Sequence, residues 1–80
     1  MIHVKFHYRS NKIEEKEFST LADALIYLEN ALPVDCVGYT VSEDGHDIKL
    51  DKLQHHIIMV RQAGRRTQQF VEKHNLYLTR

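Results

Sequence analysis

Six histidines and one cysteine are the residues of this 80-residue chain whose types could do chemistry. His3 and His7 fall on one face of an alternating segment, but four residue steps at strand rise set them about 13 Å apart, too far for one ion. His55 and His56 are neighbours, and on a helix their side chains diverge by about 100°. Neither a Cys-x-x-Cys nor a His-Glu-x-x-His spacing is present. The histidines read as polar surface residues that add positive charge below about pH 6.5. No metal and no other cofactor is expected. The stretch Glu43-Asp44-Gly45-His46-Asp47 is rich in carboxylates but lacks the ligand spacing of a calcium loop. It reads as a solvated turn, or as an acidic tip offered to a basic protein. Cys36 has no base near it in sequence, and nucleophilic catalysis needs one within hydrogen-bond reach. The glycines, Gly38, Gly45 and Gly64, are isolated, so no phosphate-cradling loop is formed. The chain is expected not to be an enzyme.

The elements that position these residues follow from periodicity. Ile2, Val4, Phe6 and Tyr8 alternate with His3, Lys5, His7 and Arg9, which predicts a half-buried strand. Ser10-Asn11-Lys12 is turn chemistry, and a three-residue loop there pairs Lys5 with Glu17, His7 with Glu15 and Val4 with Phe18. Thr20 and Asp23 form a variant capping box ahead of Leu21, Ala24, Leu25, Leu28 and Leu32, a helical stripe that Pro33 ends. Val37, Tyr39 and Val41 alternate as a further strand. Asp44-Gly45 calls for a turn with positive φ at both positions, which pairs Val41 with Ile48 and Tyr39 with Leu50. Asp51 caps a last helix. Its apolar seam is Leu53, Ile57, Val60, Gly64, Thr67 and Val71, at spacings of 4, 3, 4, 3 and 4. Gly64 costs about 1 kcal/mol against Ala in a helix interior, so either something approaches it closely or the helix breaks there. His55 to Val60 also fits a strand. Asn75 is a stop signal, with Leu76-Tyr77-Leu78 packing back on the body.

These elements predict a single α+β domain over residues 1–80. Its order is ββαββα, with a four-stranded, mostly antiparallel sheet and two helices packed on one face. With 42% apolar and 28% charged residues the chain is too apolar to be disordered. No apolar run approaches the roughly 20 residues of a membrane span. The N-terminus reads as a strand and not a signal peptide. A lone cysteine fits a reducing, cytoplasmic setting.

Charge is segregated along the chain. Residues 1–51 hold five Lys/Arg against ten Asp/Glu, and residues 52–80 hold six Lys/Arg against Glu72. On a helical wheel the positive charge gathers opposite the apolar seam. There Arg61, Gln62, Arg65, Arg66, Gln68 and Gln69 surround one apolar outlier, Ile58. The expected contact residues are Ile58, Arg61, Arg65, Arg66 and Gln69 on this face, with Glu43, Asp44 and Asp47 on the acidic rim. Ile58 would anchor a protein partner. The same face could instead meet phosphates and base edges as a dimeric nucleic-acid-binding regulator, although ten carboxylates and a pI near 7.0 are unlike dedicated binders. Met59, Ala63 and Phe70 widen the apolar arc beyond what a small sheet covers, which points to a homodimer through the last helix.

The stretch EFSTLADALIYLENALP (residues 17–33) joins a strand, a Ser/Thr cap and an amphipathic helix closed by proline. In this it resembles the tiny accessory proteins of phages and mobile elements, including anti-CRISPR-type and host-polymerase inhibitors. The resemblance implies inhibition by binding a larger host complex, and it transfers no functional residue. The function expected is a non-enzymatic protein-binding module, an inhibitor or modulator acting by surface occlusion.

Overall fold

The structure, a computed structural model, describes residues 1–74. The expectations for Asn75 and for Leu76-Tyr77-Leu78 lie outside them. Four strands and two helices follow the order ββαββα: β1 (Ile2–Tyr8), β2 (Ile13–Phe18), α1 (Leu21–Ala31), β3 (Cys36–Glu43), β4 (His46–Ile48) and α2 (Lys52–His74). The strands form one sheet of order β2-β1-β3-β4, and each neighbouring pair is antiparallel. Ile2, Val4 and Phe6 of the central strand β1 are buried on one face. They meet Ala24 and Leu28 of α1, Leu32, Cys36, Val41 and Ile58 of α2 in a single core, so both helices serve the same face of the sheet.

Local chemistry accounts for most boundaries. The Thr20 hydroxyl accepts the Asp23 amide at 3.1 Å and starts α1, and Asp51 Oδ1 accepts the Gln54 amide at 2.7 Å and starts α2. The β3–β4 turn has φ of 51° at Asp44 and 82° at Gly45, and it sets Val41 against Ile48, both as expected. Leu50 falls beyond β4, so the expected Tyr39–Leu50 strand pair does not form.

Two further expectations are corrected. The first hairpin closes on Arg9-Ser10-Asn11, one residue early: the Tyr8 amide donates to the Lys12 carbonyl at 2.9 Å, and Asn11 takes φ of 70°. Asn tolerates the left-handed region at the third loop position, and that choice moves the register by two. His3 therefore faces Glu17, Lys5 faces Glu15 and Val4 faces Lys16. The second correction is at Val37, 53% exposed, because a bulge pairs Tyr8 with Cys36 and His7 with Gly38 and pushes Val37 out of the alternation. As the continuous seam predicts, α2 is one helix from Lys52 to His74, with neither a strand at His55–Val60 nor a break at Gly64.

Candidate protein-contact face on the long helix

The side of α2 turned to the body is not the apolar seam. Ile58 is fully buried and Gln62 is 1% exposed, whereas Leu53 is 69% and Val60 54% exposed. Ile58 was the expected exposed anchor of the basic face; it belongs instead to the hydrophobic core. The physical reason lies at the end of α1. The last carbonyls of a helix have no partner within it, and Pro33 stops α1 with those groups facing α2. They need donors, which an apolar seam cannot give. Arg65 donates Nη1 to the Glu29 carbonyl at 3.0 Å and Nη2 to the Leu32 carbonyl at 2.8 Å. Gln62 donates Nε2 to the carbonyls of Pro33 and Cys36 at 2.7 and 2.8 Å. Arg66 Nη2 reaches the Val34 carbonyl at 2.9 Å. Two cationic forks at the negative end of α1 also suit its dipole.

Side chains of α1 complete the seam between the helices. Glu29 accepts Gln54 Nε2 at 2.8 Å and lies 3.6 Å from Arg61 Nη1, which also donates to Asn30 Oδ1 at 3.1 Å. Gln54, Ile58, Gln62 and Arg65, at spacings of 4, 4 and 3, thus make the packed face. Among the expected contact residues, Arg61, Arg65 and Arg66 are engaged with α1 and the loop after it. Gln69 stays exposed beside a shallow cleft of about 350 Å³ with Gln68, Glu72 and Ala31. Glu43, Asp44 and Asp47 lie together and exposed at the β3–β4 turn.

With the polar side turned in, the 4-3-4-3-4 seam is turned out. Leu53, Val60, Gly64 and Thr67 are exposed, and Ile57 and Val71 are half-buried. No charged residue stands within it. Among the described residues Gly64 has no close neighbour, since a Cβ placed there meets nothing within 4 Å. Ile26 of α1, 60% exposed, adds to the apolar surface on the helix layer. A second feature borders the first turns of α2: a cleft of about 530 Å³ between Met59, His55 and the β3–β4 half of the sheet, floored by Tyr39, Val41 and Ile48. The Tyr39 hydroxyl lies 2.8 Å from His55 Nδ1 in a hydrogen bond, and burial pushes its phenol up from the ordinary value.

Two other titratable groups, the Cys36 thiol and the Tyr8 phenol, are engaged in local hydrogen bonds. The Cys36 thiol is buried, donates to the Gly38 carbonyl at 3.0 Å and is pushed up by burial, which disfavours the reactive thiolate. The Tyr8 hydroxyl donates to Glu14, which raises the phenol and, with Lys12, holds the Glu14 carboxyl below its usual range. Among the described residues no three of His, Cys, Asp and Glu gather as metal ligands, and no helix is long and apolar enough to cross a membrane. The seam residues are legible in the sequence as a periodic set, and periodicity by itself points to a buried face. The warning signal was Gln62 and Arg65 beside Ile58, a donor-rich face able to seat on a helix end. Comparison with protein-family models, with curated proteins and with solved structures finds no match.

Proposed function

We propose that this chain is a non-enzymatic protein-binding module whose contact surface is the outward apolar face of α2. We propose further that it acts in a cytoplasmic setting, by covering an apolar surface of the protein that it meets. The observation that carries the reading is the exposure of Leu53 and Val60 on a charge-free seam of a continuous 23-residue helix. An apolar stripe of this regularity gains free energy when another apolar surface removes it from water, by about 25 cal/mol for each Å² covered. Nucleic acid is less favoured by the same geometry. Arg61, Arg65 and Arg66 already donate to α1 and its following loop, so reaching phosphates would forfeit those bonds.

The test compares two charge changes in recovery of a defined, stoichiometric partner from the native host. Val60→Glu is expected to abolish recovery and Arg66→Glu to leave it largely intact. The reverse pattern would return the contact to the basic face. In parallel, duplex DNA and RNA are titrated at low salt. Binding that falls steeply with salt and is lost in Arg66→Glu would replace this reading with the nucleic-acid one.

A further inference from the structure

We infer that the occupant of the outward face of α2 is a second copy of this chain, with the two α2 helices antiparallel. The inference rests on reading that face as a protein contact, and it adds which protein and in which orientation. Three features of the seam carry it.

The first is period. Spacings of 4, 3, 4, 3 and 4 put Leu53, Ile57, Val60, Gly64, Thr67 and Val71 on one line along the helix. This is the repeat by which one helix packs along another for its whole length, alternating two core positions per heptad. A flat or irregular protein surface does not require it. The seam is about 27 Å long at helical rise, and a second α2 offers a seam of matching length.

The second is taper. The N-terminal half of the seam is bulky, with Leu53, Ile57 and Val60. The C-terminal half begins with Gly64 and Thr67 before Val71. Parallel pairing would set Gly64 against Gly64 and Thr67 against Thr67, leaving the middle of the interface hollow. Antiparallel pairing about a centre near Gln62 sets Val60 against the partner's Gly64, Ile57 against the partner's Thr67 and Leu53 against the partner's Val71. Each layer then joins a larger side chain to a smaller or equal one, and the two kinds of heptad position alternate across it. Opposed helix dipoles favour the same orientation.

The third is the state of Gly64. It lies in mid-helix, where glycine is disfavoured, and among the described residues nothing comes near the place its Cβ would occupy. Its backbone conformation needs no glycine either, since its φ is not positive. A close approach from outside the chain gives the residue a role: it makes room for the partner's Val60.

Sedimentation equilibrium and a short bifunctional maleimide test this. At micromolar concentration the wild-type chain is expected at twice its 9.5 kDa mass. Val60→Glu is expected at the single mass with unchanged far-UV circular dichroism. Gly64→Leu makes the seam more apolar, so a merely sticky face would associate more tightly. Antiparallel packing instead predicts dissociation at least about tenfold weaker in affinity, because the added side chain overfills the space opposite Val60. For orientation, Leu53→Cys paired with Val71→Cys in one chain should cross-link into dimers, and Leu53→Cys by itself should not. Cys36 is buried and does not compete. A single-mass wild type, a dimeric Val60→Glu, tighter association of Gly64→Leu, or efficient cross-linking of Leu53→Cys by itself would each overturn the inference. If the wild type has the single mass while Val60→Glu still loses a host partner, self-pairing fails and the protein-contact reading stands. If Val60→Glu changes neither, both fail.

Discussion

The two helices of this molecule carry the same kind of pattern and use it in opposite ways. In α1 the apolar stripe of Ala24, Leu28 and the following Leu32 is buried, and Asp23 and Asn30 face water. In α2 the donor-rich face is packed and the apolar stripe is outside. The contrast shows that amphipathicity states that a helix has two faces and leaves open which one meets the body. The surface awaiting it decides. For α1 that surface is the apolar side of β1, with Val4 and Phe6. For α2 it is largely the polar end of α1.

Buried volume gives the hardest test of this contrast. Ile58→Ala is expected to lower unfolding free energy by about 2–5 kcal/mol, as Leu28→Ala would in α1. Val60→Ala and Ile26→Ala, at exposed positions of the two helices, are expected to stay within about 0.5 kcal/mol. Urea melts of dilute protein measure all four, and a neutral Ile58→Ala would turn α2 round. Next in size is Gln62→Leu. On a solvated face it would be neutral; here it strands the carbonyls of Pro33 and Cys36, at about 1–3 kcal/mol. Smaller again is Arg65→Lys, which keeps the charge but cannot supply two donors in a fixed fork to Glu29 and Leu32. A loss of about 1–2 kcal/mol is expected, and full retention would mean the charge near the α1 end suffices without the fork.

The mildest probe is pH. Burial raises the Tyr39 phenol, so the folded state holds its proton more tightly than the unfolded chain does. The stability this contributes is present below the ordinary phenol value of 10.0 and is lost as pH rises from there through the raised one. Phenolate absorbance and circular dichroism followed together should show Tyr39→Phe flattening the alkaline loss. An unchanged alkaline profile in that variant would detach Tyr39 from the link between β3 and α2.

Much of the fold was legible because the signals are local. Alternation in β1, the Thr20 and Asp51 caps, Pro33 after α1 and Asp44-Gly45 each act within a few residues, and each was found where its chemistry put it. The hairpin register was missed by two because Asn11 and Lys12 are both acceptable turn residues, and only the strand pairing chooses between them. Val37 was misplaced because a bulge depends on what β1 needs opposite it. In the candidate site the six seam positions and the basic face were both visible as sets, with their sides reversed.

What the sequence determined by itself was therefore the inventory: two hairpins, two amphipathic helices, segregated charge and a heptad-spaced seam, all fixed by backbone geometry and side-chain period. The tertiary structure decided orientation. Once Pro33 ends α1, the carbonyls of Glu29, Leu32, Pro33 and Val34 need donors, and the Gln62–Arg66 side of α2 provides them. That requirement buries Ile58 and leaves Leu53 and Val60 facing outward.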